Sequence, residues 1–456
     1  MYKSEETPSG GRSETVALTE RFVVQRELPT RLDLPPGPKL PPPLQTVLFL
    51  ALRTWISPRW QRRFGDVFSV HLAPAGRGVV LTRPEDIREV FAGKPDTFHA
   101  GEGNAILGPI MGEHSVLLLD EDAHLAARKR VMAAFHGEAT STWGAVIEQL
   151  AADRVAEWPV GRAFAVHPHM NDISLEVILQ IVFGVTDEQR LDRLRPLLQR
   201  LVRIGPLTFL GWLYPRLEQV GPWRRFRELR EQTDRELYAE IADRRTQPDL
   251  DARTDVLSKL LVADPSQSDA ELRDHLVTLL LAGHETTAST LAWAFHDLAR
   301  DPAVQARVRR AADEGDERYL EATVKEVLRR RPVIGSVARR LNKPARVAGY
   351  ALPAGVVVFP SIVLVHRSSG LYPDPTRLRP ERFLDGAPPP PATWIPFGGG
   401  IRRCLGASLA TVEATAVLKA VLQRVTLEPA GRPEWSKTRN ITTVPARGAR
   451  VISRPR

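Results

Sequence analysis

Apolar positions recur with helical spacing over most of the chain, from Glu85 to about Arg331. On either side of this region, short apolar and β-branched runs are bounded by Gly, Pro and Asp, which is typical of strands. Strands are predicted at Val67–Leu72, Gly78–Thr82, Arg346–Val358, Pro360–Val365, Val425–Leu427 and Arg450–Ser453. The pattern therefore predicts a mainly α fold with small β-sheets, in the regions near 67–82, 346–365 and 425–453.

One helix is predicted to be much longer than the others. Ser268 and Glu271 have the spacing of an N-terminal capping box, and Asp301-Pro302 is a stop signal. A helix over Ser268–Arg300 would be roughly 45 Å long. Its centre, Ala282-Gly283-His284-Glu285-Thr286-Thr287, places a glycine, an acid and hydroxyls in an apolar helix, which no need for stability explains. The alternative is a kinked core helix in which these polar side chains simply form hydrogen bonds within the protein.

The N-terminal residues 1–33 are polar, carry charges of both signs and predict a flexible tail, whereas residues 34–456 are predicted to form a single domain. The most apolar early stretch, Leu44–Leu52, is interrupted by Arg53. A membrane-spanning helix needs about 20 apolar residues, so no transmembrane segment is predicted. The polar start also lacks the apolar core of a signal peptide. The sequence therefore predicts a cytoplasmic protein.

Composition is ordinary for a globular protein, but the charge is not balanced. The chain has a formal net charge of +9 and a sequence pI near 9.9. The basic residues are scattered along helices and are not interleaved with aromatic residues, which argues against nucleic-acid binding. An acidic protein partner fits the charge better.

Cys404 is the only cysteine in the sequence, which excludes an intramolecular disulfide and a cysteine-rich zinc site. It lies in Phe397-Gly398-Gly399-Gly400-Ile401-Arg402-Arg403-Cys404-Leu405-Gly406, directly before a helical pattern at Ala407–Leu422. The helix start and the two arginines predict an anionic sulfur, suited to attack an electrophile or to bind a metal. The glycines would allow a large flat group to approach the backbone. A buried structural cysteine is the alternative.

The spacing Phe-Gly-x-Gly-x-Arg-x-Cys-x-Gly resembles the haem-binding signature of the cytochrome P-450 family at every fixed position. The resemblance implies that Cys404 is the axial thiolate ligand of the iron of haem b and that Phe397 packs near the sulfur. It also implies cofactor contacts from Gly398, Arg402 and Gly406. In this family the haem lies between a long central helix and the helix that follows the cysteine.

The centre of the long helix is similar to the oxygen-activation motif of the same family, Ala/Gly-Gly-x-Asp/Glu-Thr-Thr. Glu285 takes the acid position and Thr286 the hydroxyl position. The family's reaction delivers protons to dioxygen, and an acid that relays them together with a hydroxyl that orients water meets this need. The pair therefore implies dioxygen as the oxidant. A zinc protease motif at His284-Glu285 is excluded, because its second histidine is replaced by Ala288.

A third resemblance concerns charged residues. Lys325-Glu326-x-x-Arg329-x-x-Pro332 and Pro380-Glu381-Arg382-Phe383 resemble family motifs that form a buried charge cluster behind the haem. The resemblance assigns Glu326, Arg329 and Arg382 to this cluster. Taken alone, a glutamate and an arginine three residues apart are a common surface pair of little stabilising value.

The anionic propionates of haem need cationic partners. His124 and Arg128 have the spacing of the family's His-x-x-x-Arg, and Arg339 matches a further propionate-binding arginine, with Arg340 as the alternative. Arg402, in the cysteine loop, is expected to contact a propionate or the backbone.

Together the motifs imply a haem-thiolate monooxygenase that inserts one oxygen atom from O2 into a hydrophobic small molecule. About fifty residues follow Cys404, so electrons are expected from a separate ferredoxin-type donor with its reductase. Lys129, Arg130, Arg402 and Arg403 are the expected basic docking patch. Two alternatives stay open: a haem-thiolate isomerase, dehydratase or gas sensor, and a scaffold protein without haem.

The residues expected to line the substrate pocket are assigned by their position relative to the motifs. They are mostly apolar, which favours a lipophilic metabolite such as a terpenoid, a polyketide or a fatty-acid derivative, typical of secondary metabolism. They are Leu279, Leu280, Ala282, Gly283, Val333, Val337, Ile362 and Ile441. Leu207–Tyr214 is either a mobile apolar lid over the entrance or ordinary helix packing.

Overall fold

The computed structural model describes residues 33–73, 75–135, 139–184, 188–202, 220–384, 389–439 and 441–456. Helices dominate these ranges, and the predicted mainly α fold with small sheets is confirmed. The α-helices are α1 (Pro42–Ala51), α2 (Arg53–Phe64), α3 (Pro84–Ala92), α4 (Ala100–Gly103), α5 (Gly108–Met111), α6 (Glu121–Phe135), α7 (Ala139–Ala156), α8 (Val166–Phe183), α9 (Glu188–Val202), α10 (Gly221–Arg245), α11 (Val256–Ala263), α12 (Asp269–Leu298), α13 (Pro302–Glu314), α14 (Glu317–Arg330), α15 (Ile362–His366) and α16 (Ala407–Arg424).

The strands are short and most lie near the two ends of the described chain. They are β1 (Val67–Leu72), β2 (Gly76–Leu81), β3 (Phe98–His99), β4 (Ala163–Ala165), β5 (Arg339–Leu341), β6 (Ala345–Val347), β7 (Tyr350–Leu352), β8 (Val357–Pro360), β9 (Val425–Pro429), β10 (Ser436–Arg439), β11 (Thr442–Pro445) and β12 (Arg450–Pro455). Single 3-10 turns occur at Ala105–Leu107, Leu250–Ala252, Pro380–Phe383 and Gly400–Arg402.

The long helix α12 is the centre of the molecule. The capping box at its start is formed: the Glu271 N–H donates to the Ser268 hydroxyl at 3.2 Å, and the Ser268 N–H donates to the Glu271 carboxylate at 3.0 Å. The helix packs against α8, α10 and α16. It is therefore buried on nearly every side, as expected of a helix with apolar residues around most of its circumference.

In the described ranges, four small sheets flank the helices. The largest has the strand order β1-β2-β8-β5-β3, and a three-stranded sheet has the order β4-β12-β9. The hairpins β6–β7 and β10–β11 form the other two. The second hairpin is tied to the segment after α14, since the Thr443 N–H donates to the Val333 carbonyl oxygen at 2.7 Å.

The strand predicted at Pro360–Val365 is wrong. Strand β8 ends at Pro360, and the following residues form helix α15 instead. The Ser361 hydroxyl accepts a hydrogen bond from the Leu364 N–H and caps this helix. All five residues of α15 are buried, and a short run that is apolar on every face does not distinguish a strand from a helix.

Two predictions concern residues that the structure does not describe. The predicted tail, residues 1–33, lies outside the described residues except for Asp33, and the whole of Leu207–Tyr214 lies outside them. Among the helices that are described, none is both long enough and apolar enough to span a bilayer.

Candidate functional site

Cys404 lies in a compact loop directly before α16. Its N–H donates to the carbonyl oxygen of Phe397 at 2.9 Å, which closes the loop across the 3-10 turn at Gly400–Arg402. Gly398 and Gly400 have φ angles of +66° and +65°, a region that residues with a Cβ rarely adopt. Two of the glycines are therefore required by the path of the backbone itself.

The glycines of the loop serve two different purposes. A Cβ at Gly399 would lie 2.2 Å from the ring of Phe91, and one at Gly400 would lie 2.0 Å from the Phe91 carbonyl oxygen. These two positions let the loop pack closely on α3, not on a ligand. A Cβ at Gly406 would meet no atom within 4 Å, and one at Gly398 would meet its nearest neighbour at 3.9 Å. Only these two leave room beside Cys404 for a flat group.

The sequence predicts an anionic Cys404 sulfur, and in the structure burial of the thiol opposes the effect of the helix start and of Arg403. Cys404 is accessible to solvent, yet protein atoms surround it closely. Burial raises the pKa of the Cys404 thiol, whereas the Gly406 N–H, Arg403 and Arg128 lower it by less. A thiol in such surroundings becomes a thiolate when it binds a metal ion, because coordination displaces the proton.

Four basic side chains from three elements converge near this loop. Burial, followed by the charges of Arg402, Arg128 and Arg339, lowers the pKa of His124 to about 3, so these groups are close neighbours. Asp120 pairs with Arg402 at 2.6 Å and also acts on Arg339. Within the described ranges, Asp120 is the carboxylate that acts on these arginines. One carboxylate does not neutralise Arg128, Arg339 and Arg402, so this cluster has excess positive charge. The buried Nδ1 of His124 has no hydrogen-bond partner among the described atoms.

Arg339 and its alternative Arg340 are adjacent on β5, and their side chains make different contacts. Arg340 donates to the carbonyl oxygens of Gly355 at 3.1 Å and Ala75 at 3.3 Å. Arg339 instead is the arginine that acts on His124. The alternative assignment to Arg340 is therefore not supported by the geometry.

The middle of α12 has one open face. Ala282 is exposed and Thr286 is half-buried, whereas most of the residues around them on this helix are buried. Residues four apart lie on the same face, so an opening borders this part of the helix. The Thr286 hydroxyl donates to the Ala282 carbonyl oxygen at 2.9 Å, which leaves its oxygen lone pairs able to accept a hydrogen bond from water.

Glu285 forms an ion pair with Arg439, which no sequence motif indicated. Its carboxylate lies 3.2 Å from the guanidinium of Arg439, at the end of β10. The Glu285 side chain is 6% exposed and that of Arg439 is 27% exposed. The pair therefore connects a buried acid with a side chain that reaches solvent.

Gly283 has a packing role that the sequence did not reveal. A Cβ at this position would lie 2.8 Å from Cδ1 of Ile178 on α8. The glycine thus allows α8 and α12 to pack closely. A larger residue at this position would have to displace the end of the Ile178 side chain.

The structure brings Glu326, Arg329 and Arg382 together. Arg329 donates to both carboxylate oxygens of Glu326, at 2.7 and 2.8 Å, and both side chains are fully buried. The Nε of Arg382 lies 3.4 Å from the same carboxylate. The Arg379 N–H donates to it at 3.1 Å, so Glu326 is shared between three partners.

The residues expected to line the pocket differ in their accessibility. Ala282 and Ile441 are exposed, Gly283 and Val337 are half-buried, and Leu279 and Val333 are almost buried. Leu280 and Ile362 are completely inaccessible and belong to the packed core. Their assignment to the pocket is wrong, because neighbouring helical positions point to different faces.

Asp120 and Arg439 are the site residues that sequence reasoning missed. Asp120 also accepts hydrogen bonds from the N–H groups of Gly101 and Glu102, at 2.9 and 3.0 Å, so it fixes the backbone ahead of α6. The sequence feature that could have identified Asp120 is its position four residues before His124. Arg439 lies in the short polar strand Ser436–Arg439, which carries no recognisable motif.

These side chains fit haem. Among the described residues no group of three or more His, Cys, Asp and Glu side chains could hold a metal ion. A metal at Cys404 must therefore bring its other ligands with it, as porphyrin iron does. The excess positive charge around His124 and the open space at Gly398 and Gly406 suit a flat dianionic cofactor.

Comparisons with known proteins agree with this arrangement. A family model described as Cytochrome P450 matches residues 35–451. A Mycobacterium tuberculosis protein provisionally named cytochrome P450 135A1 is 47% identical over 425 residues, which cover 92% of this chain and 94% of the relative. A Mycobacterium bovis protein provisionally named cytochrome P450 135B1 is 46% identical over 432 residues, covering 92% of this chain and 91% of the relative.

A solved structure shares the fold. Retinoic acid bound cyanobacterial CYP120A1 superimposes with a TM-score of 0.79 and covers 93% of this chain and 100% of its own. Its sequence identity to this chain is 24%, so the likeness concerns the fold.

Proposed function

The chain belongs to the cytochrome P450 family, whose members are haem-thiolate monooxygenases, and we propose that it inserts one oxygen atom from O2 into a hydrophobic small molecule, with Cys404 as the haem ligand. The observation that carries this proposal is the Cys404 loop, with its solvent-accessible sulfur beside the open positions Gly398 and Gly406. The resident haem supplies the iron at which dioxygen is reduced.

The protein's own groups would orient the cofactor. The guanidinium groups of Arg128, Arg339 and Arg402 are positioned to pair with two propionates, which would neutralise the positive charge that Asp120 leaves in excess. The buried Nδ1 of His124 is a further hydrogen-bonding group for a propionate. Phe397 packs edge-to-face against Trp394, with ring centroids 5.9 Å apart, which fixes its ring in the cysteine loop.

Glu285 and Thr286 would move protons to the reacting oxygen. Thr286 faces the opening, and its hydroxyl donates to the Ala282 carbonyl oxygen, which leaves the oxygen to accept a hydrogen bond from a water molecule. Glu285 is buried against Arg439, so it collects a proton from solvent only when that ion pair loosens. The half-accessible Arg439 thus acts as the positioning residue for the acid.

Replacing Thr286 by alanine should uncouple oxygen consumption from substrate oxidation. Loss of the hydroxyl removes the group that orients the water, so product formation should fall by about 10-fold or more while peroxide release rises. The measurement is product and peroxide per reductant consumed, with a ligand that shifts the haem spin state. Thr287→Ala is the matched control, since Thr287 is 3% exposed and its hydroxyl lies 3.4 Å from the Gly283 carbonyl oxygen. Equal coupling in the two variants would contradict the assignment.

The substrate is proposed to be lipophilic because the accessible residues Ala282, Val337 and Ile441 are apolar. Arg53 donates to the Ile441 carbonyl oxygen at 2.9 Å, which puts a guanidinium beside this wall. CYP120A1 is described as bound to retinoic acid, an apolar carboxylic acid. A library of lipophilic acids, each paired with its alcohol, should therefore be screened by haem absorption. We expect acids to shift the spin state at lower concentration than their alcohols.

Electrons are proposed to come from a ferredoxin-type donor with its reductase. Of the four expected docking residues, Arg130 lies 3.9 Å from Asp264 and Arg402 is paired with Asp120. Lys129 and Arg403 are exposed, and we propose them as the centre of the docking patch.

Reversing both charges of this patch, Lys129→Glu with Arg403→Glu, should slow electron transfer at low salt by about 10-fold and flatten its salt dependence. The measurement is the rate of haem reduction by ferredoxin at several ionic strengths. Arg62→Glu with Arg63→Glu on α2 makes the same change in net charge at two other exposed positions and is the control. A salt dependence that matches that of the control would refute the patch.

A further inference from the structure

A cavity of about 770 Å³, partly open to solvent, lies between α2, the C-terminal end of α14 and the segment that follows α15. None of the residues that line it in the described chain belongs to the candidate functional site. Arg62, Arg330, Arg331 and Arg367 contribute four guanidinium groups to its walls. A cavity of this size lies within the range of small-molecule sites, roughly 300–1,000 Å³.

The carboxylates near these arginines do not balance them. Arg331 donates to both carboxylate oxygens of Asp297 at 3.0 Å, and Arg330 pairs with the same carboxylate. Asp66 is the acidic residue among those that line the described cavity, and it also accepts a hydrogen bond from Gln61 at 2.9 Å. Four guanidinium groups and these two carboxylates leave an excess of two positive charges.

His296 does not change this balance. Its Nδ1 contacts Asp297 at 2.9 Å, but burial and the charges of Arg300 and Arg331 lower its pKa to about 3, so the ring is neutral at physiological pH. Arg331 and Arg367 also act on Arg330, whose pKa burial lowers to about 9. Like charges held together in this way favour the binding of an anion, which relieves their repulsion.

The arginines are held in place by the protein. Arg331 stacks over the ring of Trp293 at 4.2 Å, and Arg330 donates to the Thr376 carbonyl oxygen at 2.6 Å. Arg367 donates to the Thr54 carbonyl oxygen at 3.3 Å. Because three of the four side chains are already ordered, a ligand would not have to order them on binding.

The pairing of Arg330 and Arg331 with Asp297 also has a structural purpose, since it joins the end of α14 to the end of α12. That purpose needs neither Arg62, which is exposed on α2, nor Arg367. Ser368 and Ser369 bring two hydroxyl groups to the same wall. Arg62, Arg367 and the two serine hydroxyls are therefore the groups that a ligand in this cavity would contact.

We propose that this cavity binds a small molecule that carries a diphosphate group. Guanidinium groups bind phosphate oxygens through two parallel hydrogen bonds, and a diphosphate presents several such edges within the reach of adjacent arginines. Its negative charge is opposite in sign to the excess positive charge that Asp297 and Asp66 leave. The volume leaves room for an organic group attached to the phosphates. The site is separate from the haem chemistry, so the two proposals stand or fall independently.

Isothermal titration calorimetry of the full-length, haem-loaded protein with inorganic pyrophosphate tests the site. Ionic strength is held constant with potassium chloride. We expect saturable binding of one pyrophosphate per chain, with a Kd below about 1 mM. Arg62→Gln should weaken binding at least about fivefold, since it removes a charge-assisted contact from an exposed side chain that folding does not need.

Arg63→Gln is the matched control, because Arg63 is the next residue of α2, is also exposed and does not line the cavity. It should bind pyrophosphate as the unchanged protein does. Non-saturable binding, or equal losses in the two variants, would overturn the proposal in favour of general charge attraction. A second titration uses citrate, an anion that carries carboxylates instead of phosphates. If it binds as tightly as pyrophosphate at the same ionic strength, the site recognises carboxylates and the phosphate assignment is wrong.

Discussion

Replacing Cys404 by serine should abolish the thiolate-specific absorption band of the reduced carbon monoxide complex. The substitution exchanges one sulfur atom for oxygen in a loop whose shape is fixed by the Cys404 N–H to Phe397 bond and by the glycines. A serine hydroxyl is a much poorer donor to iron than a thiolate, so haem should be bound weakly or through another ligand. Loss of the band should be essentially complete.

This result can be separated from unfolding. Serine differs from cysteine by one atom, so the substitution removes little volume, and the far-ultraviolet circular dichroism of the variant should be unchanged. Its melting temperature should fall only by the stabilisation that bound haem normally adds. Ser408→Ala is the matched control, because Ser408 is exposed in the first turn of the same helix. An intact band in Cys404→Ser would remove the basis of the proposed chemistry.

Local signals in the sequence predicted the main features of the fold. The capping box at Ser268 and Glu271 placed the start of α12, and the stop at Asp301-Pro302 marked its end, because both are contacts between residues a few positions apart. The Cys404 loop carries its own conformational requirements in its glycines. Such features need no knowledge of distant residues, so the sequence contains them.

Features that depend on distant pairing could not be predicted in the same way. Arg439 meets Glu285 across 154 positions of sequence. Glu413 on α16 looks like an ordinary helical acid, yet burial raises its pKa to about 8, against which the Ser174 hydroxyl of α8 acts only partly. The raised pKa of the Cys404 thiol has the same origin, since burial is a property of the assembled fold.

The buried charge cluster is linked to the cysteine loop by a continuous series of hydrogen bonds. Arg329 donates to the His366 carbonyl oxygen at 2.7 Å, and the His366 ring accepts from the Ile395 N–H at 2.9 Å. The Ile395 carbonyl oxygen accepts from the Gly398 N–H at 3.0 Å. A second link runs from the Trp394 indole to the Lys325 carbonyl oxygen, at 3.2 Å, beside the cluster. The cluster therefore holds the loop that carries Cys404.

Glu326→Ala should lower the free energy of unfolding by about 3–5 kcal/mol and yield protein with little haem. The reason is that Arg329 would keep its charge in a fully buried position without its carboxylate. The measurements are urea unfolding and haem content per chain. Glu321→Ala, on the same helix, is the matched control because its 2.7 Å pair with Lys325 is partly accessible to solvent and should contribute below about 0.5 kcal/mol. Normal haem content and control-like stability in Glu326→Ala would refute the role of the cluster. A stable variant that lacks haem would locate its effect in the loop, through His366 and Ile395, and not in the core.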